Sequence, residues 1–146
     1  MVKRKVQVWV YFRNSESLVY SFLILKTRPD RGGFWQPVTG GVEKKESLPE
    51  AALREAQEET GIAFQEVPQA IEHQFEFESR GERVTESGFS LKMTAPGGVG
   101  ALPSVKLDAK EHVEYRWVTA REAFKAVGHS SNAAMLKVLL TRLAKQ

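Results

Sequence analysis

A chain of 146 residues with 42% hydrophobic and 27% charged content has the size and balance of one ordinary globular domain with a real core. Its net charge of +3 comes from 21 basic and 18 acidic residues; the signs are well mixed, which helps attract a polyphosphate but forms no basic stripe interleaved with aromatics, so no specific nucleic-acid partner is expected. The absence of cysteine excludes disulfides, thiolate metal sites and a cysteine nucleophile, and no continuous apolar region near the N-terminus suits export or membrane spanning, so a cytoplasmic location is the expectation.

Val6 to Phe12 alternates and is rich in β-branched and aromatic residues, which predicts a strand, with Arg13-Asn14-Ser15 as its turn. Leu18 to Lys26 is more continuously apolar and predicts a central strand covered on both faces. Thr27 to Gly33 is a polar loop, and Phe34 to Thr39 leads into the glycine turn at Gly40-Gly41. A helix follows. Ser47 and Glu50 form a capping box, Pro49 falls in the first turn, and Gly61 with Ile62 ends the helix. Leu48, Ala52 and Ala56 run along one side of it and would face a sheet, with the carboxylates facing elsewhere.

Two further strands are predicted over Ile71 to Glu78 and Val84 to Met93, with a turn at Arg80-Gly81. The glycine- and proline-rich stretch from Thr94 to Ser104 predicts a mobile loop. Val113 to Val118 is a last strand, and helices follow over Arg121 to Val127 and Asn132 to Ala144. Strands and helices mixed without regular alternation predict an α/β fold, a mixed β-sheet between helical layers, in one domain spanning residues 1–146.

The chemistry concentrates on the helix after Gly40. Glu55, Glu58 and Glu59 stand at i, i+3 and i+4 and project from one face. Crowded carboxylates repel unless a cation sits among them, and oxygen-only ligands suit a hard divalent ion such as Mg²⁺, Mn²⁺ or Ca²⁺. Repulsion without metal should raise at least one of their pKa values. Alone, such a helix reads more readily as a solvated, charge-laced surface element, since charge runs are usually solvated faces.

The wider pattern is more specific. A glycine (Gly40), five residues, a glutamate (Glu46), seven residues, and then Arg54-Glu55-Ala56-Gln57-Glu58-Glu59-Thr60-Gly61-Ile62 resembles the Nudix box at every fixed position. Ala56 alone is smaller than the aliphatic residue usual there. The resemblance implies an α/β/α sandwich and an enzyme that hydrolyses a nucleoside diphosphate linked to another moiety, with Mg²⁺ or Mn²⁺. It implies that Glu55, Glu58 and Glu59 ligate metal, with the Gly40 carbonyl as a further ligand. Glu46 would pair with Arg54 in a supporting role. An additional carboxylate outside the box is expected from the family, with Glu82, Glu86, Asp108, Glu111 and Glu114 as candidates. Glu111 is preferred as base or extra ligand; its bland alternative is a solvated loop acid, and His112 reads as a bystander or a proton carrier.

Beyond the box, Phe34 to Gly41, Thr85-Glu86-Ser87, Glu111-His112 before Tyr115 and Trp117, and Ser131-Asn132 look like the bacterial dihydroneopterin triphosphate pyrophosphohydrolases, a branch often also labelled dATP pyrophosphohydrolases. That resemblance implies release of pyrophosphate from a small-molecule pterin or purine triphosphate. Phe34 and Trp35 would stack on a flat heterocycle, or else belong to the core. Gln36, Ser131 and Asn132 would hydrogen-bond its edge, and Arg28 and Arg31 would meet phosphates. A general (d)NTP or diadenosine polyphosphate hydrolase and a non-catalytic nucleotide sensor are the alternatives. Oligomeric state has no sequence signal.

Overall fold

A computed structural model of the chain describes residues 2–94 and 102–145. Residues 95–101, within the loop expected from Thr94 to Ser104, lie outside the described residues. Seven strands form one mixed sheet. They are β1 (Val2–Arg13), β2 (Tyr20–Thr27), β3 (Trp35–Gln36), β4 (Val38–Gly41), β5 (Gln69–Ser79), β6 (Glu82–Lys92) and β7 (His112–Val118). The helices are α1 (Leu48–Thr60), α2 (Ala120–Ala126) and α3 (Ser130–Leu143). None of the described helices is long and apolar enough to cross a membrane.

Period-two alternation along β1 sorts the core into two layers. Val6, Val8, Val10 and Phe12 join Leu23, Leu25, Phe89 and the α1 alanines on one face. Trp9 and Tyr11 join Phe22, Ile24, Met135, Leu136 and Leu139 on the other, beneath α2 and α3. This is the expected helix–sheet–helix sandwich. β2 is central and almost continuously buried, as its apolar run requires.

The sheet also has a feature that positions the site. Near their connecting turn β1 and β2 pair directly, Tyr11 opposite Phe22. Farther along they diverge: β1 pairs with β4 from Lys5 to Val8, while β2 pairs with β3 at Leu25 and Lys26. The two short strands, separated by Pro37, fill a wedge between the long ones and deliver Gly40-Gly41 to its open end. The approach to the glycine turn therefore contains strands that the sequence pattern does not mark.

Other boundaries move for identifiable reasons. β1 extends back to Val2 because parallel pairing with β6 (Val2 opposite Arg83) recruits Lys3, Arg4 and Lys5. β2 starts at Tyr20 because Leu18 has a positive φ of 62° in the preceding turn. α2 begins one residue early, with a second capping box formed by Thr119 and Glu122. β5 carries a bulge between Ile71 and Gln74.

Gly88 lies where α3 crosses β6. A Cβ built there would stand 2.2 Å from Met135 Sδ and 2.9 Å from its Cγ, and Met135 is fully buried. Gly88→Ala should therefore destabilise the fold by about 1–3 kcal/mol, the usual range for overpacking. Urea denaturation checks this. Combined with Met135→Ala, the loss should be smaller than the sum of the two single losses, because the added methyl enters the space Met135 leaves.

Candidate active site

α1 begins with the capping box expected from the sequence: Ser47 Oγ accepts from the Glu50 N–H, and the Glu50 carboxylate accepts from the Ser47 N–H. It ends at Gly61, φ 68°, whose N–H bonds the Gln57 carbonyl. Ala51, Ala52 and Ala56 are completely buried, so the helix rests on the sheet through its smallest side chains. That close approach sets the depth of its acidic face.

Arg54 organises that face. Its Nε and Nη2 donate to both Glu46 oxygens at 2.7 and 2.9 Å. Nη2 also reaches the Gly41 carbonyl at 2.9 Å, and Nη1 bonds Glu55 at 2.9 Å and Glu58 at 3.3 Å. The guanidinium holds the Glu46 carboxyl down at about 2, chiefly through these hydrogen bonds. Glu46 therefore stands where the sequence put it, as the loop's anchor to the helix.

Glu55 closes over Gly40. A Cβ on Gly40 would fall 2.1 Å from Glu55 Cδ and 2.4 Å from both its oxygens, so any side chain there must displace the Glu55 carboxylate. Glu59 is the exception to the expected outward-facing carboxylates. It is 4% exposed, and neither of its oxygens has a hydrogen-bond partner among the described residues. Burial, and secondarily Glu55, push its carboxyl up to about 10. A pKa rise in the cluster was expected from repulsion; desolvation is the larger cause.

His112 packs beside it, with Nδ1 3.5 Å from Glu59 Oε1, and is pushed down to about 4 by burial. Both groups are thus held neutral, and the contact is not an ion pair. Gln36 Nε2 lies 3.2 Å from His112 Nε2; an amide nitrogen only donates, so Nε2 accepts and the ring proton belongs on Nδ1, facing Glu59. His112 is consequently a buried neighbour of the acidic face rather than a loop bystander.

These groups line a cleft of about 450 Å³ that also includes Lys5, Thr27, Arg31, Phe34, Thr39, Asp108 and Glu111. Of the acids outside the box, Asp108 and Glu111 reach it. Glu111 is tied to Arg31 at 3.0 Å. Glu114 instead pairs with Arg116, and Glu82 sits at the β5–β6 turn. A second pocket of about 450 Å³ shares Lys5, Gln36 and Thr39 with the first and continues to Phe75, Phe77, Glu86, His129, Ser131 and Asn132.

The placement separates the sequence candidates: Trp35 takes the core alternative, and Arg28 lies off the cleft lining. Trp35 is not part of either wall: it packs with the core on the α2–α3 face and takes the Arg116 guanidinium over its ring, 4.9 Å from the centroid. Phe34, its neighbour, does line the cleft, since successive residues of an extended segment face opposite ways. Arg28 pairs with Asp30 at 3.1 Å and is not a lining residue; Arg31 is. The aromatic wall of the second pocket comes instead from Phe75 and Phe77, whose same-face spacing on β5 was the available signal.

Comparison with known proteins decides the family. The NUDIX domain profile matches residues 3–139. The chain belongs to the Nudix family. Over 136 residues the Nudix chain is 31% identical to the dihydroneopterin triphosphate diphosphatase of Escherichia coli, covering 84% of this chain and 85% of that protein. It is 36% identical over 108 residues to an octanoyltransferase of Myxococcus xanthus, but spans only 28% of that protein's length. Among solved structures, the E. coli dihydroneopterin triphosphate pyrophosphohydrolase superposes with a TM-score of 0.74 at 28% identity, over 92% of each chain. A C. elegans Ap4A hydrolase superposes over 99% of each chain with a TM-score of 0.79 at 22% identity, a likeness of fold. With its box complete, this is a Nudix hydrolase domain of the pyrophosphohydrolase type.

A divalent cation, which the family implies, suits the donors present. They are all oxygen, and Glu59 offers two buried oxygens with no partner. The Glu55 carboxylate packs directly on the Gly40 backbone. As the side chains stand, with Glu55 and Glu58 turned to Arg54, no three acidic or histidine groups of the described residues converge on one point.

Two tests follow from this geometry. Gly40→Ala should displace Glu55, cutting turnover by roughly 10²-fold, the scale of losing one major electrostatic element, while thermal stability changes little. Glu59→Gln removes a buried carboxyl with no partner. It should raise the melting temperature in EDTA, by about 2–4 °C for each kcal/mol regained, and reduce the further rise produced by Mg²⁺ in the wild type. Differential scanning calorimetry with and without metal measures both effects.

Proposed function

We propose that this domain hydrolyses a phosphoanhydride of a pterin or purine nucleoside triphosphate, dihydroneopterin triphosphate or dATP, releasing pyrophosphate and the monophosphate with Mg²⁺ or Mn²⁺, in the cytoplasm. The observation that carries the reading is the continuity of two lobes. An acidic, Arg54-organised lobe runs through Gln36 and Thr39 into a pocket walled by Phe75, Phe77 and Asn132. A polyphosphate bearing a flat heterocycle has the matching shape and chemistry. The relative of 31% identity that this chain matches over most of its length supports the same substrate class.

In this reading Glu55, Glu58, Glu59 and the Gly40 carbonyl hold the cation, which supplies charge neutralisation on phosphate oxygens and a more acidic water. Arg54 positions Glu55 and Glu58. Lys5 and Arg31 meet the non-bridging oxygens of the polyphosphate. Glu111, carried just before β7, orients the attacking water and accepts its proton, with metal ligation as its other role. Water adds to one phosphorus while the bond to the bridging oxygen breaks, and pyrophosphate leaves. Phe34 closes the phosphate lobe. Gln36, Ser131 and Asn132 offer hydrogen bonds to the heterocycle.

Glu58→Gln should lower turnover by roughly 10²-fold or more at saturating Mg²⁺ with the fold intact; near-normal turnover would remove Glu58 from the site. Glu111→Ala should depress kcat far more than it changes KM, and unchanged constants would return Glu111 to a solvated loop acid. Mass spectrometry of products from a panel of triphosphates tests the substrate. Dihydroneopterin triphosphate should be cleaved with higher kcat/KM than dATP, and dCTP poorly; equal rates on all three would refute the pterin assignment alone.

A further inference from the structure

Glu86 was a candidate for the metal site, but the fold places it in the second pocket, away from the acidic face of α1. It sits on β6 and is 5% exposed. Its Oε1 accepts a hydrogen bond from Gln7 Nε2 at 3.1 Å. Gln7, fully buried, in turn accepts from Trp9 Nε1 at 2.8 Å. An indole N–H can only donate, so the Gln7 amide has one orientation, with its nitrogen toward Glu86. The relay from Trp9 therefore fixes Glu86 as an acceptor. Gln7 is its only hydrogen-bonded side-chain partner among the described residues, which leaves its second oxygen without one, and Glu86 lines the pocket.

A buried, oriented carboxylate with one free oxygen in a ligand pocket needs donors from the ligand. A second, independent feature shares that wall. Asn132 is 3% exposed, and its buried Oδ1 also lacks a partner. Phe75 and Phe77, both on β5, add apolar lining.

We propose that Glu86 is the specificity-determining residue of this pocket, selecting heterocycles that present two adjacent N–H donors, the amino-pyrimidinone edge common to pterins and guanine. This deepens the triphosphate reading and rests on it for the identity of the pocket. A ring N–H and the neighbouring exocyclic NH₂ match Oε2 and the lone pair of Oε1 that Gln7 leaves unused. Adenine presents a donor beside an acceptor, and the lone pair of its ring nitrogen meets the carboxylate unfavourably. Cytosine has the same mismatch, and uracil flanks its N–H with carbonyls. A site built to pair such an edge discriminates strongly against ligands that leave its groups unpaired.

The test separates recognition from hydrolysis by measuring binding of monophosphates, which carry no anhydride to cleave. Calorimetry on the wild type should show GMP binding about 10- to 100-fold tighter than IMP, which lacks only the 2-amino group, and tighter than AMP; that factor corresponds to a hydrogen bond to a charged group. Glu86→Gln keeps the size and the Gln7 contact, and should collapse both preferences. The GTP-to-ATP ratio of kcat/KM should fall by the same factor. Equal affinity of the wild type for GMP and IMP overturns the proposal without any variant, as does a Glu86→Gln protein that retains the GTP-to-ATP ratio. If no triphosphate is hydrolysed, the hydrolase reading fails, and the GMP, IMP and AMP affinities still decide the role of Glu86.

Discussion

The acidic face of α1 is habitable because one guanidinium serves five hydrogen bonds at once, to Glu46, Glu55, Glu58 and the Gly41 carbonyl. Without that cation the carboxylates would repel, the loop from Gly41 to Glu46 would lose its attachment to the helix, and the cleft would lose its floor. The planar fork matters as much as the charge. Nε and Nη2 address both Glu46 oxygens while Nη1 spans two other side chains, an arrangement an ammonium group cannot reproduce. Glu59 alone has no share of Arg54; burial answers the charge problem there by keeping the group protonated.

The rest of the site is a matter of where backbones diverge and where they crowd. The split between β1 and β2 opens the sheet at one end, and the short β3–β4 segment lines that opening with Gln36, Thr39 and Gly40. The α1 alanines let the helix settle close enough for the Glu55 carboxylate to rest on Gly40. Ala56, small for its place in the Nudix box, belongs to this close contact. Across the sheet, Gly88 serves α3 in the same way against Met135.

The legible parts of this molecule are those whose causes are local. Capping, the i, i+3, i+4 carboxylates and the Arg54–Glu46 pairing depend on residues within a turn or a loop of one another, and all appear in the structure. The main strands are present as read, with ends shifted by partners distant in sequence, as when β6 draws Lys3 to Lys5 into β1. β3 and β4 have two and four residues around Pro37, too few for a period to register. Without β3 the phase of Phe34-Trp35 has no sequence signal, so stacking and core stay open for both until the structure turns Phe34 to the cleft and Trp35 to the core. Burial of Glu59 and the turning of Glu86 into the second pocket are tertiary facts: nothing beside either residue announces them. Ser131 and Asn132 were read as contacts to the heterocycle, and they do line the second pocket.

Among the described residues β5 pairs with β6 along one side only, so its other side presents a row of backbone donors and acceptors with no strand partner there, with Phe77 39% exposed. Such a border invites strand addition from another chain and, from there, aggregation. Here Phe75 and Phe77 alternate with Glu76 and Glu78, so a second copy docking antiparallel would bring acid against acid. The bulge between Ile71 and Gln74 also breaks the straight register that such docking needs. The same strand thus turns its aromatics toward the second pocket while its charges oppose edge-to-edge docking.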